Sequence, residues 1–181
     1  PEAIRHEFDA VADKKDLEET YLPAFEALVK EAKVEGVMGA YNRTNGEPCC
    51  GSSYLSSCLK EWGFDGYFVS DCWAIADFHM HHHVTATATE SVALALKNGC
   101  DVNCGNTYLH LYKAYEEGLV TEEEITTACE HLFRTRMRLG MFDETEYDKL
   151  GYKDVETKEH LALSRKAAET ACVLLKNDGI L

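Results

Sequence analysis

Asp71 is the residue whose type and place are hardest to explain without chemistry. Tyr67-Phe68-Val69 is a short apolar run, and the Asp71 carboxylate stands where that run stops. A strand buried on both faces is apolar along its length, so a charge at its C-terminal end calls for a reason. In parallel α/β folds that end opens at the mouth where reacting groups are carried. A carboxylate there can act as nucleophile or general base; the bland alternative is an aspartate that caps a helix or braces a loop. Trp73, two residues on, offers a flat apolar face. Tyr41 closes an earlier strand-like segment, so its phenol is expected at the same mouth, one strand over, in reach of Asp71.

Two other sets of side chains invite chemistry and are read more plainly. Asp77, His79, His81, His82 and His83 form a dense group that can take up zinc or nickel opportunistically. No Cys/His spacing matches a structural metal pattern, so the segment is expected to be a loop on the substrate rim. No metal is assigned, and no cofactor follows. The eight cysteines form no CxxC pair. They are expected to act as small hydrophobes in a reduced, cytoplasmic compartment, with export left open.

The elements that must position these residues are legible from period and punctuation. Thr20 is expected to cap a helix with Pro23 in its first turn and a face of Tyr21, Phe25, Leu28, Val29 and Ala32. Strand-like segments follow at Val37–Tyr41, up to Asp71, and at Asp101–Cys104. Their starts lie roughly 30 to 34 residues apart, the length of a βα unit, which argues for a parallel sheet. Helices are expected over Tyr54–Trp62, from a Thr89 cap to Lys97, over Tyr108–Glu116, and from a Thr121 capping box to Leu139. Asn45-Gly46 reads as a turn. Residues 142–157 are polar and acidic, a linker. Beyond them a helix over Leu161–Thr170 and a strand over Cys172–Leu175 read as the opening of a second α/β domain.

Several motifs, in order, resemble the central region of glycoside hydrolase family 3. They are Arg5-His6-Glu7-Phe8-Asp9-Ala10, Asp16-Leu17-Glu18-Glu19-Thr20-Tyr21-Leu22-Pro23, Gly39-Ala40-Tyr41-Asn42, Trp62-Gly63-Phe64-Asp65-Gly66, Val69-Ser70-Asp71 and Val173-Leu174-Leu175-Lys176-Asn177-Asp178-Gly179. The resemblance runs over nearly the whole chain. It implies the last strands of a (β/α)8 barrel over 1–141, an interdomain linker over 142–157, and the start of a second α/β sandwich over 158–181. It also implies a retaining β-glucosidase or β-xylosidase with Asp71 as the nucleophile and Tyr41 as its orienting neighbour. Met38 and Arg5 would line the sugar site. Trp73 is a substrate contact only by analogy, because Cys72 intervenes where many members place the tryptophan next to the nucleophile. The general acid is expected beyond residue 181, and no glutamate of this chain is nominated for it.

Composition bounds the alternatives. A formal charge of −14 over 181 residues disfavours nucleic acid and anionic membranes as partners. No apolar run approaches the roughly 18 residues needed to span a bilayer. The length falls short of the ~250 residues of a complete (β/α)8 barrel, so a fragment of a longer protein is expected, inactive by itself and marginally folded. The partner implied is a β-linked oligosaccharide or glycoside; no oligomeric state follows. The competing reading is a non-catalytic protein that binds sugar or metal on the same fold.

Overall fold

The structure is a computed structural model that describes residues 2–179. Pro1, Ile180 and Leu181, at the two ends of the expected fragment, lie outside the described residues. The chain divides into two compact units, Pro1–Met141 and Phe142–Leu181.

The first unit is an α/β assembly. Its elements are β1 (Asp9–Ala10), α1 (Lys14–Asp16), α2 (Pro23–Lys30), β2 (Gly36–Gly39), β3 (Arg43–Thr44), β4 (Glu47–Pro48), α3 (Ser53–Glu61), β5 (Tyr67–Ser70), α4 (Ala74–Met80), α5 (Ala88–Lys97), α6 (Leu111–Glu116) and α7 (Glu122–Arg138). β2 and β5 pair in parallel, Gly36 opposite Tyr67 and Gly39 opposite Ser70. The two strands start close together because Gly66 has no side chain: a Cβ there would stand 2.0 Å from the Glu35 carbonyl oxygen. The expected third strand contracts to a single parallel bridge, Val69 to Val102. Among the described residues its only neighbour is β5, and a strand without a second neighbour gains little ladder bonding.

Helices α4, α5, α6 and α7 share one core with Phe68 of β5. Phe68, Ile75, Phe78, Val92, Leu96, Ala114 and Val120 share the core with the buried cysteines Cys50 and Cys100. Beside β2 lies a cavity of about 620 Å³ lined by Phe8, Leu17, Phe25, Met38, Leu55 and Trp62 among others. β2 pairs only with β5 among the described residues.

Local signals placed most helices, with two differences. The helical run begins at Asp13, whose side chain accepts the Asp16 amide, and passes through a wide turn at Leu17–Tyr21 before Pro23, so Thr20 is inside the run and caps nothing. Thr87, not Thr89, caps α5 by accepting the Glu90 amide, and Thr89 is buried beneath it. Asn45 and Gly46 do turn the chain, both at positive φ, but between two short antiparallel strands, β3 and β4. β3 in turn pairs with β1, which lays the N-terminal segment along the loop after Tyr41. The Thr121 capping box of α7 is present in both directions.

The second unit carries two short 3₁₀ turns, Glu146–Lys149 and Tyr152–Asp154, and one helix, α8 (Lys158–Ala171), capped by Thr157. None of its described residues is buried. The expected strand at Cys172–Leu175 has no strand pairing among the described residues. No helix among the described residues is long and apolar enough to cross a membrane.

Candidate active site

Asp71 directly follows β5. Its amide donates to the Gly39 carbonyl at 2.9 Å, which fixes it beside the end of β2. The Cys72 amide donates to its Oδ1 at 2.7 Å. Tyr41 comes two residues after β2, which brings its phenol next to the Asp71 carboxylate. Burial first, then the charge and acceptor oxygens of Asp71, raise the Tyr41 phenol above its ordinary 10.0; Arg5 opposes them. The phenol therefore stays protonated, with a hydrogen to offer the neighbouring carboxylate.

Arg5 lies over the Tyr41 ring, 5.4 Å from its centroid, and pairs with Glu2. Met38 is 59% exposed in β2 and borders the apolar cavity; the parallel register sets it opposite Val69. Trp73 has φ 72° and is 52% exposed. Its amide donates to the Cys104 carbonyl at 2.7 Å, and its ring borders Gly105, where a Cβ would meet the Trp73 amide nitrogen at 3.3 Å. The structure thus brings Arg5, Tyr41 and Asp71 together, sets Trp73 on the loop beside them, and places Met38 within β2, opposite Val69.

Three features at this site escaped the sequence reading. Cys72 and Cys104 form a disulfide, which joins the loop after Asp71 to the loop after the Val102 bridge. The expectation that both act as small reduced hydrophobes is corrected; it describes the buried Cys49, Cys50 and Cys100 instead. Their spacing of 32 residues is one βα repeat, so adjacent strand ends bring them together. Ser70 Oγ, buried, accepts the Cys104 amide at 3.0 Å and the Asn103 side chain at 3.2 Å, tying the same two loops.

The third feature is the histidine segment, which is helix rather than rim loop up to Met80. Asp77, only 3% exposed, faces His6 Nδ1 at 2.7 Å and His81 Nε2 at 3.6 Å. His6 packs on Tyr41, ring centroids 4.6 Å apart at 60°. His79 reaches Ser91 at 2.9 Å. His82 is 5% exposed with neither ring nitrogen bonded, and burial lowers its pKa, which keeps it neutral. No group of three or more His, Cys, Asp or Glu side chains among the described residues is arranged to hold a metal ion.

Residues 6–135 match the Glycosyl hydrolase family 3 N terminal domain. The chain belongs to glycoside hydrolase family 3. Family relatives include the probable exo-1,4-beta-xylosidase bxlB of Aspergillus clavatus, 42% identical, with 98% of this chain and 24% of the relative aligned. Probable beta-D-xylosidase 6 of Arabidopsis thaliana is 40% identical over 96% of this chain and 23% of its own length. Among solved structures, the family 3 exo-beta-xylosidase XlnD, in complex with a xylobiose aziridine activity-based probe, superposes with a TM-score of 0.81 at 30% identity, covering 96% of this chain and 24% of that one. A Listeria innocua beta-glucosidase in complex with glucose follows at a TM-score of 0.76 and 29% identity, covering 99% and 25%. The chain therefore spans about a quarter of the length of these relatives.

Proposed function

We propose that the protein carrying this chain is a retaining β-glycosidase that hydrolyses β-linked xylosides or glucosides, with Asp71 as its nucleophile. One observation carries the reading: a carboxylate at the C-terminal end of a parallel strand, held by backbone bonds, receives a phenol from the neighbouring strand end. The Asp71 oxygen attacks the anomeric carbon while an acid protonates the leaving oxygen; water then cleaves the glycosyl ester with overall retention. Tyr41 orients the carboxylate and shields its charge. Arg5 supplies a cation next to Tyr41 for a sugar hydroxyl, and Trp73 and Met38 border the sugar. The acid comes from outside these residues. Xylosides are the first choice, because the relatives at 40–42% identity carry xylosidase names.

On this reading β2, β5 and the Val102 segment are consecutive strands of a (β/α)8 barrel over residues 1–141. Residues 142–157 are the linker, and 158–181 open the second domain. The one-sided pairing of β2 and the apolar cavity beside it support incompleteness, so the 181-residue chain alone is inactive. The Cys72–Cys104 disulfide favours an oxidising compartment over the reduced one inferred from cysteine spacing.

The test is Asp71→Ala in the full-length product, assayed on an aryl β-xyloside and an aryl β-glucoside. Activity is expected to fall on the order of 10³-fold or more. Azide should restore turnover, with the α-glycosyl azide as product, because a small anion enters the vacated space on the face Asp71 attacks. Undiminished hydrolysis without azide would overturn the assignment.

A further inference from the structure

We propose that His6 and Asp77 form a positioning pair that holds Tyr41, and through it Asp71, in the reactive arrangement; the proposal rests on the nucleophile reading above. Asp77 is almost completely buried, and no lysine or arginine pairs with it among the described residues. A buried carboxylate is expensive unless hydrogen-bonded, and here its partners are two imidazoles, His6 at 2.7 Å and His81 at 3.6 Å. A carboxylate oxygen accepts from an imidazole N–H, and a 2.7 Å contact of this kind fixes the orientation of the His6 ring.

That fixed ring is the one lying against Tyr41 at 4.6 Å. Asp77 is itself set by α4, the helix that begins three residues after Asp71 and whose Ala74 amide donates to the Asp71 carbonyl at 3.1 Å. The nucleophile, its phenol, the imidazole and the second carboxylate thus make a closed ring of contacts: Asp71 to Tyr41, Tyr41 to His6, His6 to Asp77, and Asp77 back along α4 to Asp71. A loop of contacts around a reacting group limits the positions that group can take, which is how supporting residues contribute to rate. A plain anchor for the N-terminal segment would need neither a buried carboxylate nor a ring packed on Tyr41. That segment is already tied by β1–β3 pairing and by the Arg43 amide donating to the Phe8 carbonyl.

The test uses the full-length product in five forms: wild type, Tyr41→Phe, Asp77→Asn, His6→Asn, and Tyr41→Phe combined with Asp77→Asn. Each is treated with a 2-deoxy-2-fluoro-β-xyloside carrying a good leaving group, and the rate of covalent labelling and the thermal midpoint are read. Asp77→Asn is expected to slow labelling about tenfold or more, as residues that act through another typically do. His6→Asn, which keeps a donor toward Asp77 but removes the ring from Tyr41, should slow it similarly with little change in thermal midpoint. In the double variant the two effects should not multiply, because both act on the placement of the phenol. Wild-type labelling rates in His6→Asn and Asp77→Asn, or effects that multiply in the double variant, would overturn the pair's role while leaving Asp71 as nucleophile. Where Asp77→Asn does not fold, His6→Asn alone decides. A wild-type label mapped away from Asp71 would overturn the nucleophile reading itself, and the pair's role with it.

Discussion

Residues 2–141 and residues 142–179 follow the same local rules and reach different ends. Both contain helices with good caps: Thr121 opens α7 with a complete capping box, and Thr157 opens α8 by accepting the His160 amide. In the first unit, helices converge on Phe68, Ile75, Phe78 and Val92. In the second, Leu161, Leu163 and Leu174 stay exposed. The difference teaches that caps and helical period are enough to define a helix, whereas a core and a strand both require partners from elsewhere in the chain.

Core truncation gives the widest contrast between the two units. Phe78→Ala should destabilise the chain by about 3–5 kcal/mol, since it empties a wholly enclosed position. Leu163→Ala in α8 should stay within about 0.5 kcal/mol, as exposed positions do. Urea titration of both variants in the full-length product measures the pair, and equal losses would erase the distinction drawn between the units.

A smaller effect is expected at the disulfide, which lies wholly in the first unit. Closing a 32-residue loop restricts the unfolded chain by about 3–4 kcal/mol in the loop-entropy account. Cys104→Ser should lower the urea midpoint accordingly, and added reductant should then change nothing further. In the second unit, by contrast, reductant should leave the hydrogen exchange of α8 unaltered.

The smallest effect concerns an ion pair that ties β2 to α7. Glu35 accepts from Thr135 at 2.6 Å and from Arg138 at 2.9 Å, and these contacts, Thr135 first, lower its pKa below the ordinary 4.5 against the opposing pull of burial. A carboxyl whose folded pKa is depressed stabilises above its unfolded value and loses that contribution as pH falls through its folded one. Glu35→Gln should therefore reduce stability by no more than about 1 kcal/mol at pH 7, because the pair is partly exposed and screened. The difference from wild type should shrink below pH 4.5 and vanish in stronger acid; a gap that persists there would assign the effect to packing instead.

Much of the site was legible in the sequence because it follows from where strands end. An apolar run of three residues and a carboxylate set Asp71 at the end of β5, and βα spacing set Tyr41 at the neighbouring end. The segments at Asp101 and Cys172 have strand-like residues but lack the partners that a ladder needs among the described residues, so one shrinks to a bridge and the other is unpaired. The His6–Asp77 contact spans 71 residues and has no periodic signature, so no local pattern could reveal it. The Cys72–Cys104 disulfide did have a signal, since 32 residues is one repeat and both cysteines follow strand segments. Counting cysteines against the βα period, rather than searching for CxxC, would have found it.

The nucleophile assignment is tested most directly by trapping the full-length product with 2-fluoro-xyloside and 2-fluoro-glucoside inactivators and mapping the adduct. The tryptic peptide Glu61–Lys97 contains Asp71 and must first be freed from its disulfide partner by reduction. A single glycosyl adduct on Asp71, formed faster with the xyloside, is the expected result. An active enzyme that is inactivated with no label in that peptide would contradict the account at its centre.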